Sequence, residues 1–169
     1  RAASERIPIL HAPNLSVGVN VMLLVTEMLA KVLDASYDVE ITEAHHRFKA
    51  DAPSGTALAL RDAVIAGRGE FKAGKSDAPE PPAIVYGRSG ETGTRPSGEI
   101  GIHSLRIGDT VGEHTVSFGA LGETVRVCHT ANSRDTFAAG ALRAARWIVG
   151  RPAGLYSMRN VLFSDQSGI

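Results

Sequence analysis

Polar and apolar side chains alternate through three consecutive segments, Glu99–Asp109 (EIGIHSLRIGD), Thr110–Gly119 (TVGEHTVSFG) and Glu123–Ala131 (ETVRVCHTA). No other feature constrains the fold as tightly. A period of two places successive side chains on opposite faces of an extended chain, so each segment predicts a half-buried strand. Gly108-Asp109 and Leu121-Gly122 predict the turns between them, and a meander is the simplest arrangement. Two further strands are expected upstream, at Tyr37–His46 (YDVEITEAHH) and in Ala83–Gly90 (AIVYGRSG).

Helical periodicity brackets this block. Val21, Leu24, Val25, Met28, Leu29 and Val32 recur at steps of three and four within Ser16–Ser36, with Asn14 or Ser16 as the cap. A second helix is predicted over Thr56–Gly69, ended by Gly67 and Gly69. A third runs from Arg134 to Gly150, with Phe137, Ala141, Ala144, Ala145 and Ile148 along one face. Ile7–Leu10 is a short candidate strand, residues 70–82 form a proline-rich loop, and the tail ends in a short apolar segment. Strands run together between helices in an α+β domain: a mixed sheet with helices packed on one face. The other face is then expected at a subunit interface, the more so if it is apolar, the alternative being that it lies open to solvent.

Eighteen basic residues balance eighteen acidic ones, so no net charge draws the chain to nucleic acid or to a membrane surface. The single cysteine, Cys128, excludes an intramolecular disulfide and a CxxC metal knuckle, and is expected in the core. No apolar run approaches the roughly 20 residues that span a bilayer. A soluble cytoplasmic protein is expected.

Gly69–Ser76 (GEFKAGKS) matches the phosphate-loop pattern letter for letter. That loop works only between a strand and a helix, and here it follows a helix and leads into Asp-Ala-Pro-Glu-Pro-Pro. Nucleotide binding there is discounted. The fingerprint GxGxxG is absent. His103, His114 and His129 have no metal-ligand spacing and are expected in the core or on the sheet surface; no metal is expected. Glu113 and His114, adjacent on a strand, point to opposite faces.

The informative stretch is Glu43–Thr56, EAHHRFKADAPSGT. Two imidazoles, a guanidinium and an ammonium fall within five positions at a strand end, and His45, Arg47 and Lys49 would share a side if the strand continued. Such cations repel unless an anion or carboxylates neutralise them. Pro53-Ser54-Gly55-Thr56 then opens a helix, with Ser54 as cap and Gly55 and Thr56 offering amides. A cationic strand end facing a helix amino terminus suits a multiply charged anion, a carboxylate compound or phosphate. His45 and Lys49 are the groups there suited to proton transfer.

The segment EAHHRFKADAPSGTAL closely resembles the signature of the dihydrodipicolinate reductase family. APNLSVGVNVM resembles that family's linker into its substrate domain, and IGDTVGEHTVSF, HTANSRDTFAAGALRAARWI and GLYSMRNVL resemble later blocks. The resemblance runs from about His11 to the end. It implies reduction of a cyclic imine dicarboxylate by NADPH or NADH in the diaminopimelate–lysine pathway, in a homotetramer, cytoplasmic or, in a plant, plastidic. His45 matches the residue that supplies a proton, and Lys49 its partner at the ring nitrogen. His46, Lys49, Gly55 and Thr56 match the residues holding the substrate carboxylates. Ala12, Pro13, Asn14 and Leu15 match the segment touching the nicotinamide, although the family often has phenylalanine where Leu15 stands.

The family's nucleotide-binding half has no counterpart in this sequence. The resemblance therefore divides the chain into residues 1–18, a linker and last strand of that half; 19–149, a substrate-binding and oligomerisation domain; and 150–169, a segment returning to the nucleotide domain. Alone, the chain is expected to be inactive; the alternative is a non-catalytic dicarboxylate-binding and tetramerisation module.

Overall fold

The computed structural model describes residues 2–72 and 82–164. Its elements are β1 (Pro8–Leu10), α1 (Val17–Val32), β2 (Asp38–His45), α2 (Gly55–Lys72), β3 (Ile84–Tyr86), β4 (Ile100–Arg106), β5 (Gly112–Ala120), β6 (Glu123–Ala131), α3 (Asp135–Ile148), β7 (Gly154–Tyr156) and α4 (Met158–Phe163). They fall into two compact units, one of residues 22–132 and the other of residues 1–21 with 133–169.

The larger unit is an α+β layer built on a five-stranded mixed sheet in the order β3-β4-β2-β5-β6. Strands β3, β4 and β2 run parallel, and β5 and β6 are antiparallel to their neighbours. Alternation works as expected: Val39, Ile41, Ile100, Ile102, Val116 and Phe118 are all essentially inaccessible and meet Ala57, Leu60 and Val64 of α2. Those three helix positions recur at three and four residues, the spacing of one helix face. Burying each large side chain contributes about 1.5–3 kcal/mol.

The expected meander is not what forms. β4 and β5 are not neighbours; both pair with β2, which lies between them. Periodicity assigns the faces of a strand but not its partners. Loop length carries the missing signal. Leu121-Gly122 joins β5 to β6 as a tight two-residue hairpin, with Gly122 at φ +98°. Residues 107–111 form a longer connection, which crosses the end of β2, a span of roughly 10 Å between next-nearest strands.

Gly67 also departs from expectation. It does not end α2, which continues to Lys72; a Cβ there would lie 2.3 Å from the Glu27 carbonyl oxygen of α1. The glycine serves the close approach of two helices. The phosphate-loop-like stretch therefore begins inside α2, and its residues Ala73–Ser76 lie outside the described residues, as does most of the proline-rich loop.

The sheet face away from α2 is polar. Arg95 bridges Asp38 (2.6 Å), Glu40 (3.1 Å) and the carbonyls of Val39 and Glu99, while Arg88 holds both oxygens of Glu40 and also Glu99. A Cβ on Gly101 would meet Glu40 Oε2 at 2.0 Å, so the glycine lets that carboxylate lie across β4. Cys128 is exposed rather than in the core, because β6 is an edge strand and its alternate positions face out.

In the smaller unit β1 and β7 pair in parallel, Pro8 opposite Gly154. Ser16 caps α1 through a bond from the Val19 amide, and Asn14 Oδ1 accepts from the Ser16 amide at 2.8 Å. Gly140 of α3 touches the linker so closely that a Cβ would lie 1.8 Å from the Leu15 carbonyl oxygen. Ala144, Met158 and Val161 form its small core with Leu10, Ala12, Leu15 and Trp147.

Candidate functional site

The site is assembled at the end of the central strand. Alternation along β2 turns Val39, Ile41 and Glu43 toward α2, so a carboxylate follows two core side chains into a fully inaccessible position. An isolated ion there would be costly. Glu43 instead receives donors from every side. Arg106 of β4 forks onto it, Nη1 to Oε2 and Nη2 to Oε1, both at 2.9 Å. His45 Nδ1 meets Oε2 at 2.5 Å, and the Ser54 amide donates to Oε1 at 3.1 Å. Burial alone would raise the Glu43 carboxyl; the bonds from Arg106, His45 and Ser104 overcome it and hold the group down at about 2.

Arg106 also fastens the following loop, donating to the carbonyls of Lys49 (3.3 Å) and Asp51 (2.6 Å). β2 stops at His45 rather than continuing. The next residues turn, with the Lys49 amide bonded to the His46 carbonyl, and Arg47 is exposed. Hence His45, Arg47 and Lys49 do not line one strand face. The cations are neutralised by carboxylates, Glu43 taking Arg106 and His45 while Asp51 takes Lys49 at 2.8 Å. The crossing connection seals the strand end: the Ile107 amide bonds to the His45 carbonyl and the Arg47 amide to the Gly108 carbonyl.

Ser54 is the cap predicted for α2, its Oγ accepting from the Ala57 amide at 3.2 Å. Gly55 and Thr56 form the first turn, and a Cβ on Gly55 would meet nothing within 4 Å. The amino end of an 18-residue helix, with its partial positive charge, therefore opens beside the imidazole and the Lys49 loop. His46 has its Nδ1 buried without a hydrogen-bond partner, and its ring stands 6.3 Å from that of Phe48.

Arg106 is not among the residues singled out in the sequence, where Glu43 only opens the informative stretch and His114 is expected in the core or on the sheet surface. Glu43 and Arg106 organise the site, and His114 buttresses it. His114 of β5 pairs opposite Glu43, packs edge-on against the His45 ring at 5.2 Å and contacts Ser54 Oγ at 3.1 Å. Burial, with the nearby His45 second, pushes it down to about 4, so it is neutral near pH 7. An acid following two core positions, as Glu43 does, was the available signal; Arg106 and His114 reach it only through strand pairing.

Of the predicted residues, His45, His46, Lys49, Gly55 and Thr56 lie in the larger unit. Ala12, Pro13, Asn14 and Leu15 lie in the smaller one. There, Leu10, His11, Ala12 and Leu15 face Ala141, Ala144, Ala145 and Ile148 across an open groove, while Asn14 is engaged at the start of α1. The groove is mostly apolar and carries no lysine or arginine.

Known proteins give this geometry a family. The family described as dihydrodipicolinate reductase, C-terminus, matches residues 18–162. The chain is 52% identical over 162 residues to the 4-hydroxy-tetrahydrodipicolinate reductase of Thiobacillus denitrificans, covering 95% of this chain and 57% of that one. It is 51% identical to the enzyme of the same name from an Anaeromyxobacter species, with the same coverages. The chain thus spans little more than half the length of these relatives. Among solved structures, dipicolinate-bound dihydrodipicolinate reductase from Paenisporosarcina sp. TG-14 superposes with a TM-score of 0.68 at 27% identity, covering 94% of this chain and 57% of that one. By sequence match and by fold, the chain belongs to the dihydrodipicolinate reductase family, in its C-terminal part.

Proposed function

We propose that this chain supplies the substrate site and the acid/base residues for NAD(P)H-dependent reduction of 4-hydroxy-tetrahydrodipicolinate to tetrahydrodipicolinate, in diaminopimelate and lysine biosynthesis. One observation carries the reading. A single buried carboxylate bonds both the His45 ring and the amide preceding Gly55, so a proton donor and an anion-holding helix start are locked side by side.

In this reading the ring takes up a hydride and a proton and loses its hydroxyl as water. The nicotinamide cofactor supplies the hydride; Ala12, Pro13, Asn14 and Leu15 hold its ring end, and phosphate recognition falls to residues beyond this chain. His45 supplies the proton. Lys49 exchanges Asp51 for the substrate and polarises the ring nitrogen, while the Gly55 and Thr56 amides, with His46, hold the carboxylates. Hydride transfer requires a bound, oriented cofactor, so this chain alone does not turn over. The reading places the protein in the cytoplasm. For assembly, the polar sheet face around Asp38, Glu40 and Arg95 is the surface proposed for a homotetramer, joined by ion pairs rather than an apolar seam.

The solved relative is described as dipicolinate-bound, which makes pyridine-2,6-dicarboxylate the natural probe. Calorimetric titration of the native polypeptide should give one site per chain. His46→Ala and Lys49→Ala should each weaken it about tenfold or more, the scale of a lost charge-assisted hydrogen bond. Unchanged affinity in both variants would refute the substrate assignment.

A further inference from the structure

We infer that Glu43, clamped by Arg106, is a positioning residue for His45: it keeps a proton on Nδ1 and leaves Nε2 as the nitrogen that exchanges its proton with the substrate. The inference deepens the proposed function and rests on His45 as its proton donor.

An ionised carboxylate only accepts hydrogen bonds. Glu43 faces two guanidinium nitrogens and a backbone amide, all obligate donors, at 2.9–3.1 Å, so its ionised form is the one this pocket fits. Its contact with His45 Nδ1 at 2.5 Å therefore requires a proton on Nδ1 in both the neutral and the charged ring. Nε2 is left for chemistry. That nitrogen points where β5 begins, and a Cβ on Gly112 would stand 3.1 Å from it, tighter than ordinary contact. A glycine keeps the approach to Nε2 open.

The same carboxylate sets a second coordinate. Through Oε1 it fixes the Ser54 amide, and Ser54 begins the turn that presents Gly55 and Thr56. The separation of proton donor from anion holder is thus determined by the two oxygens of one side chain, and the Arg106 fork prevents that side chain from rotating. In the proton step the Nε2–H bond breaks, its electron pair stays on Nε2, and the proton goes to the substrate. The ring is left as the neutral Nδ1–H form, still bonded to Glu43.

The test is nitrogen-15 NMR of the native polypeptide without substrate, at a pH where His45 is neutral, its signals assigned by their loss in His45→Gln. A protonated Nδ1 and a bare Nε2 are expected; the opposite tautomer overturns the inference. In steady-state assays of the complete protein, its nucleotide-binding part included, Glu43→Gln should lower kcat about 10²-fold, the range of general acid catalysis, with KM within threefold. Gly112→Ala should lower kcat while retaining the Nδ1–H tautomer, and it serves if Glu43→Gln does not fold. Unchanged kcat in Gly112→Ala would show that Nε2 does not face the substrate. Failure of the two readings is distinguishable: an Nδ1–H ring in a protein that ignores pyridine-2,6-dicarboxylate sinks the substrate reading and leaves the positioning intact.

Discussion

β2 carries two glutamates three residues apart, and alternation sends them to opposite faces of the sheet. Their chemistry is nearly the same. Glu40 is held by Arg88, Arg95 and His103, and Glu43 by Arg106 and His45. Burial opposes ionisation of each, and the arginine and histidine bonds overcome it, holding both carboxyls near 2. What differs is water. The Glu40 side chain is 30% exposed, whereas Glu43 is inaccessible. On the open face an ion network can lose a member and rehydrate; on the closed face every donor around Glu43 depends on it. Three segments converge there, the strand end, the start of α2 and, through Arg106, the Lys49–Asp51 loop.

The largest expected effect follows from that contrast. Glu43→Gln should cost about 3 kcal/mol, the lower end for breaking a buried ion pair, while Glu40→Gln should cost about 1 kcal/mol or less. Urea unfolding midpoints of the two variants test this, and equal losses would erase the distinction between the faces.

Acid titration of stability sharpens it. His114 is held below its ordinary value, at about 4. Between pH 6.5 and 4 the unfolded chain therefore binds a proton that the native state refuses, and stability falls as pH drops through that window. The two glutamates act lower. Their folded values near 2 lie below the ordinary 4.5, so the stability they contribute is present above pH 4.5 and is lost on descent toward pH 2. His114 and Glu43 are each worth at most about 3 kcal/mol in their windows, and the partly exposed Glu40 contributes less. Replacing His114 with Gln should flatten the upper window alone.

The smallest expected effect is at Asp51. Its side chain is exposed, so Asp51→Asn should leave the urea unfolding midpoint essentially unchanged. Because Lys49 is then released, calorimetry should show pyridine-2,6-dicarboxylate binding a few-fold more tightly. Weaker binding would mean that the pair holds Lys49 in its working position.

Much of this was legible in the sequence, for identifiable reasons. Period two exposed the strands around Ile41, Ile102 and Val116 because each strand has one buried face. The cluster at His45–Lys49 and the cap at Ser54 marked the candidate site because capping and charge repulsion are local. Strand order was not legible, since β2 selects β4 and β5 through tertiary pairing and both candidates alternate equally well. Gly67 was misread as a stop because its reason lies on another helix, at the Glu27 carbonyl. Arg106, and the part that buried His114 plays beside Ser54, escaped for the same cause: both residues are more than 50 residues from the carboxylate or hydroxyl they serve.

The division of the chain has a consequence for its synthesis. Residues 22–132 form one continuous stretch, whereas the other unit is closed by β1 meeting β7 from opposite ends of the sequence. On a ribosome the glutamate, the imidazole and the helix start emerge together and can settle into their sheet early. The linker before α1 must wait for residues 133–164 before Gly140 can seat against Leu15. The carboxylate that fixes His45 and the start of α2 can thus be in place before the segment around Leu15 closes.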